Sequence, residues 1–259
     1  MTLVISTGGI AKTPLGARPG TLAAIIAEWT AAGAAGFVFD FTRMDGLYQD
    51  RAGTIPVTAI GQPVGYARDL SGKGLNAIAE DDAARPLMAE DSDGVLCIDC
   101  GTRERRLVVT FPSSMSFSTR SILTAASYNT DNNFAIRSDQ GGASNNVASL
   151  GIAAAGAGST ANLGGFYGTA GLAGPGRRIL SGYTAAGTPG ENTIRINGVV
   201  DKTDTASDVV AGSTLGAVIG GRPSSAMNGL IYGVAWRAGD ADLDACEQYF
   251  AERTGIALT

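Results

Sequence analysis

The chain contains no histidine. That absence removes Ser-His-Asp and Cys-His catalysis, imidazole general bases, histidine metal ligands and any pH switch centred on imidazole. Lysine is almost absent, with only Lys12, Lys73 and Lys202. The net charge is −5, and the only dense basic cluster is Arg103, Arg105 and Arg106 with Glu104 inside it, so nucleic acid is not an expected partner. Cysteine is confined to Cys97, Cys100 and Cys246. Zinc would need four soft ligands, and in a strand Cys97 and Cys100 point to opposite faces, so buried free thiols are expected. No metal and no cofactor is expected.

Long apolar runs are missing too. The richest stretch, Leu22 to Ala35, is interrupted by Glu28, Thr30 and Gly33 and falls short of the roughly 18 apolar residues that span a bilayer, so membrane insertion is not expected. The amino terminus MTLVISTGGIAKTPLG has no basic region followed by an apolar core and a small-residue cleavage site, which leads us to expect synthesis in the cytoplasm without a secretory signal.

What is plentiful is glycine, 37 residues in a chain of 259 with 44% hydrophobic content. This composition suits many tight turns between closely packed sheets, and the length suffices for a core without disulfides. Residues 1–36 read as an arm followed by a helix. Pro19 and Gly20 end the arm, Thr21 caps, and Leu22, Ile25, Ile26 and Trp29 form one apolar stripe. The stripe packs either on its own domain or on another subunit. Phe37 to Thr42 alternates as a strand with Phe37, Phe39 and Phe41 on one face. From Arg43 to Glu90 periodicity fades and a loop-like segment is expected.

Beyond Gly94, short runs at hairpin spacing predict strands at Leu107 to Phe111, Phe117 to Leu123, Phe134 to Arg137, Arg178 to Tyr183, Thr193 to Ile196, Leu215 to Gly220 and Gly229 to Trp236. Asn197-Gly198 supplies the positive φ angles of a type I′ hairpin. A final helix runs from Asp240 to Thr254, with Leu243, Cys246, Tyr249 and Phe250 on one side and Gly255 ending it. The fold class is therefore all-β, an antiparallel β-sandwich with an N-terminal arm-helix and a short C-terminal helix.

Two segments carry a family resemblance. LYQDRAGTIPVTAIGQPVGYARDLSGKGLNAIAEDDAARP (Leu47 to Pro86) resembles the leading segment of many tailed-phage and prophage virion proteins, although Leu75 displaces the usual asparagine by one place. Leu215-Gly216, Ile219 to Arg222 and Met227 to Gly233 resemble the closing strands of concanavalin A-like (laminin-G-like) domains, with Arg253-Thr254-Gly255 matching the helix end that commonly follows. The resemblance implies a concanavalin A-like jelly roll over residues 37–259, in a fibre, spike or baseplate decoration of a tailed phage or gene transfer agent. It further implies a virion location, assembly in the host cytoplasm, other virion proteins as partners and a homo-oligomer. Residues 1–36 lie outside it and are expected to attach the protein to the particle through Leu22, Ile25, Ile26 and Trp29.

Glycanases of this fold commonly place paired carboxylates on one strand as E-x-D-x-x-E. No such run exists among the chain's glutamates, and Glu80-Asp81-Asp82 and Glu90-Asp91-Ser92-Asp93 fall in irregular segments, so the expectation is a binding protein rather than an enzyme. Calcium candidates, Asp91, Asp93 and Asp99 or Asp131, Asn132 and Asn133, lack the D-x-D-x-D-G order and are better explained as turn formers. For a cell-surface glycan, the candidate loop residues are Tyr128, Asn129, Asn132, Asn133, Tyr167 and Tyr183. The alternatives are a glycan-degrading enzyme of the same fold and a bacterial lectin-like surface domain.

Overall fold

The computed structural model describes residues 21–23, 25–26, 35–101, 105–117, 119–128, 133–139, 150–155, 158–163, 166–167, 176–185, 191–204, 212–222, 225–239 and 243–259. They form two antiparallel sheets packed face to face with the helix Leu243–Thr254 outside, a β-sandwich of the jelly-roll kind.

The eight-stranded sheet, here the helix-side sheet, runs in the order β15 (Val199–Asp204), β14 (Glu191–Ile196), β13 (Gly176–Ala185), β8 (Thr119–Tyr128), β19 (Gly229–Ala238), β6 (Leu96–Asp99) and β5 (Leu87–Glu90). The strand β1 (Gly36–Asp40) pairs with residues 233–237 of β19, so β1 and β6 share one side of β19 end to end. The nine-stranded sheet, here the open sheet, runs β12 (Phe166–Tyr167), β11 (Gly158–Leu163), β10 (Leu150–Ala155), β9 (Asn133–Asp139), β16 (Gly212–Ile219), β7 (Leu107–Phe117), β4 (Ala77–Ala79), β3 (Tyr66–Ala67) and β2 (Leu47–Tyr48). A two-stranded ribbon, β17 (Gly221–Arg222) with β18 (Ser225–Ala226), lies beside them.

Alternation explains the core. Phe37, Phe39 and Phe41 point inward as their spacing predicts, joining Leu107, Val109, Phe111, Ile122, Ile136 and Ile219 between the sheets. Trp236 anchors the layer, its ring centroid 5.2 Å from Phe111 and 5.8 Å from Phe37. The opposite parity of β1, β6, β8 and β19 gives Val38, Cys97, Leu123, Ala125, Tyr232 and Ala235, which form a second buried cluster on the outer face of the helix-side sheet. The helix α1 (Leu243–Thr254) covers that cluster with Cys246, Tyr249 and Phe250. Gly233 sits where the β19 register shifts, and a Cβ there would overlap the Phe250 ring. The missing side chain is what seats the helix.

The type I′ hairpin is present, with Asn197 at φ 49° and Gly198 at φ 87° between β14 and β15. Cys97 and Cys100 are buried free thiols on opposite faces, one in each cluster. Other expectations need correction. Residues 43–90 are not a loop but contribute β2, β3, β4 and β5. These strands are too short for alternation to register. Residues 55–57 and 61–64 then line one edge of each sheet: the Val57 N–H donates to Leu47 O at 3.0 Å, and the Val64 N–H donates to Pro86 O at 2.8 Å. Pro56 and Pro63 in these segments bridge to Tyr48 and Leu87 and leave no donor for further pairing. Leu22, Ala23, Ile25 and Ile26 are helical, and Trp29 lies outside the described residues. Ile25 is fully buried in the outer cluster with α1, and Leu22 packs partly against it. The expected attachment role of Ile25 is thus corrected: its side chain is used inside the chain's own fold.

The DLSGKGLNA motif has a structural role. Asp69 is buried; its Oδ1 accepts the Val38 and Ser71 N–H groups at 3.1 and 2.8 Å, and its Oδ2 accepts the Ser71 hydroxyl at 2.7 Å and the Leu75 N–H at 3.2 Å. One carboxylate therefore pins the loop to β1.

Candidate functional site

Of the six residues expected to bind sugar, only Tyr128 and Tyr183 have described side chains, and they lie at opposite ends of the β8–β13 pair. Tyr128 does not lie in a loop; it ends β8, is buried, and its hydroxyl lies 3.2 Å from Thr124 Oγ1. So buried a ring offers no exposed platform, and the same burial pushes the hydroxyl's pKa up. Tyr183 is half-buried in β13, at the far end of the strand from Gly176, which pairs with Tyr128. Asn133 and Tyr167 belong to β9 and β12 of the other sheet, and their side chains lie outside the described residues, as do Asn129 and Asn132 altogether.

The carboxylates beside and beneath α1 are occupied. Glu247, buried, accepts from the Ser181 hydroxyl and forms an ion pair with Arg195, Nη2 to Oε2 at 2.9 Å. Asp40 Oδ2 accepts the Tyr249 hydroxyl at 2.5 Å, with Arg253 at 3.6 Å. Asp91 Oδ1 accepts the Asp93 and Val95 N–H groups at 2.9 and 3.0 Å, while its Oδ2 accepts the Tyr232 hydroxyl at 2.7 Å and lies 3.4 Å from Arg177. Among the described residues no group of three His, Cys, Asp or Glu side chains could hold a metal ion. These clusters lock the helix to the sheet.

The outer face of the open sheet is different. Cross-strand pairs in an antiparallel ladder share a face. Tyr48 pairs with Tyr66, Tyr66 with Ile78, Ile78 with Val108, and Val108 with Val218. Their inward neighbours Leu47, Ala67, Ala77 and Val109 are in the core, so this row faces outward. Tyr48, Tyr66 and Val108 are half-buried, and Ile78 is 36% exposed. The two tyrosine rings meet edge to face at 5.5 Å between centroids and 79°. α1 packs on β8, β13 and β19, and among the described residues no helix covers this face.

The row is built by the LYQDRAGTIPV segment. Asp50 Oδ1 accepts the Thr54 and Ile55 N–H groups at 2.9 and 2.7 Å, and Oδ2 accepts the Thr54 hydroxyl at 2.8 Å, which holds its pKa down to about 2. The loop so formed brings Gly53, at φ 71°, against the Tyr66 ring, and Arg51 Nε donates to Ala79 O at 2.8 Å. Polar groups flank the row. On one side are Glu80 and Arg106, paired at 2.8 Å. On the other side Arg68, Asn76 and Thr110 adjoin the last paired residues of that ladder, Ala67, Ala77 and Val109. An apolar and aromatic strip bordered by guanidinium, amide and hydroxyl groups can stack on the C–H face of a sugar ring while hydrogen-bonding its substituents. None of these residues was predicted as a site. Their only sequence signal is a pair of tyrosines inside the Leu47 to Pro86 segment.

No family model and no curated protein matches the chain. Solved structures do. A botulinum neurotoxin type C structure, described in terms of interaction with two ganglioside molecules, matches at TM-score 0.53 and 13% identity, covering 90% of this chain and 53% of that one. An arabinofuranosidase complexed with arabinofuranosyl-α-1,2-xylobiose matches at 0.59 and 11%, covering 89% and 64%. The binding domain of botulinum neurotoxin serotype D/C matches at 0.50 and 14%, covering 82% and 52%. The chain thus spans about half to two thirds of the length of these proteins. They share its β-sandwich fold. The expectation that the chain is not an enzyme is overturned by the arabinofuranosidase match: a glycoside hydrolase has the same fold, so that fold together with a missing E-x-D-x-x-E strand does not decide between binding and catalysis.

Proposed function

We propose that the chain is a carbohydrate-binding jelly roll that presents the outer face of its open sheet to a glycan, and that it is carried on a phage or phage-like particle as a fibre, spike or baseplate decoration. The observation that carries the first half is the Tyr48–Tyr66–Ile78 row, left open between two polar borders. The fold shared with a ganglioside-interacting neurotoxin and with an arabinofuranosidase supports it. The particle half is supported by the resemblance of Leu47 to Pro86 to tailed-phage virion proteins, and with it go assembly in the host cytoplasm, virion partners and a homo-oligomer. In this reading residues 1–36 are the attachment segment, with Leu22, Ile26 and Trp29 as contacts.

A glycan array with the purified chain tests the binding half, with Tyr66→Ala as control. Retained glycans that the variant loses support it, and no retention contradicts it. Deleting residues 1–20 together with Ile26→Ser and Trp29→Ser, the buried Ile25 being kept, tests the particle half: incorporation should be lost while the circular dichroism of the β domain is kept. A second reading, glycoside hydrolysis, is favoured by the arabinofuranosidase match, and release of reducing sugar from a retained polysaccharide would establish it.

A further inference from the structure

Arginines in this chain are commonly paired: Arg43 with Asp45, Arg85 with Asp82, Arg106 with Glu80, Arg177 with Asp91 and Asp93, and Arg195 with Asp244 and Glu247. Arg68 breaks that pattern. It is exposed on the open face, its Cβ and the Nε and Nη2 of its guanidinium lie against Gly46, and among the described residues no carboxylate stands within ion-pair distance of it. In a chain with more acids than bases, an unpaired guanidinium beside an aromatic row is a marked local excess of positive charge.

Its neighbours deepen the asymmetry. Asn76 Oδ1 accepts the Asp69 N–H at 2.9 Å, which fixes the amide and leaves its NH2 group as the free end. Thr110, next in line on β7, is exposed with a hydroxyl that can donate. Across β3, β4 and β7, a width of about 10 Å at the usual strand spacing, the border is therefore rich in donors and poor in acceptors. A neutral sugar hydroxyl offers one donor and weak acceptors, whereas a carboxylate offers acceptors alone and fits a guanidinium in two-point fashion.

We propose that this border, Arg68 with Asn76 and Thr110, selects glycans that carry a carboxylate, with a uronic or sialic acid residue seated against the Tyr66 row. The inference rests on the carbohydrate-binding reading above and adds the charge class of the ligand.

The test uses the whole chain and matched probes on one array: oligogalacturonate and sialyllactose, each beside its carboxyl-reduced counterpart, and neutral oligosaccharides. The wild type should prefer at least one acidic probe over its reduced form by about tenfold or more, the scale of one charge-assisted hydrogen bond, and the preference should shrink as salt rises. Arg68→Gln should bring the two forms to equal affinity without changing the melting temperature, and Tyr66→Ala should weaken both. Equal binding of acidic and reduced probes by the wild type, or a preference that survives Arg68→Gln, overturns this inference and leaves the carbohydrate reading standing. No retention of any probe, acidic or neutral, overturns both.

Discussion

The two outer faces of the sandwich have opposite fates. On the helix-side sheet, Val38, Leu123, Tyr232 and Ala235 are sealed under α1, and the carboxylates of Asp40, Asp91 and Glu247 are taken up by tyrosine or serine hydroxyls and arginines. On the open sheet the same antiparallel geometry leaves Tyr48, Tyr66 and Ile78 partly in water, with Arg68 unpaired beside them. A face whose carboxylates are already paired holds the fold together. Groups left with spare bonding capacity on a rigid sheet are the ones able to meet a ligand.

The largest effects are expected on the covered face. Phe250→Ala should cost about 3–5 kcal/mol in a denaturant titration, because it empties the contact between α1 and Gly233. Gly233→Val should unseat the helix from the other side. Glu247→Ala follows at about 3 kcal/mol, since Arg195 keeps Asp244 as its one acidic partner among the described residues and Ser181 loses its acceptor. A loss under about 1 kcal/mol in all three would show that the covered face is not the stabilising one.

The open face should behave in reverse. Tyr66→Ala and Tyr48→Ala should stay within about 1 kcal/mol of wild-type stability yet lower glycan affinity by about tenfold or more in calorimetric titration. Smaller still is a pH effect on the loop that frames the row. The Asp50 pKa lies at about 2 in the fold against 3.8 ordinarily, so its hydrogen bonds favour the fold above about pH 4 and that contribution fades as pH falls towards 2. Hydrogen exchange at the Thr54 and Ile55 amides should quicken over that window, and Asp50→Asn should abolish the pH dependence. The thiols give a final contrast: burial pushes Cys97 up to about 12, so the native covered face should resist alkylation at pH 8 and react only after unfolding.

Long elements were legible in the sequence. The Phe37, Phe39, Phe41 alternation, the Asn197-Gly198 turn and the apolar side of α1 each repeat often enough, or use special enough residues, to be read without tertiary context. The open face was not. Its tyrosines come from strands of two residues, β2 and β3, which no alternation can reveal, and they become neighbours only because Gly65 lets β3 press against Gln49 and Asp50. Tyr128 misled for a related reason: β8 runs on past Leu123, and the small residues Ala125 and Ala126 disguise a buried strand as a loop approach.

The most direct test of the open face as the glycan site is a titration of the wild type and of a Tyr48→Ala, Tyr66→Ala double variant against a glycan that the wild type retains. The account predicts that the double variant loses binding while its melting temperature stays within a few degrees of wild type. Undiminished binding by the folded double variant would contradict it.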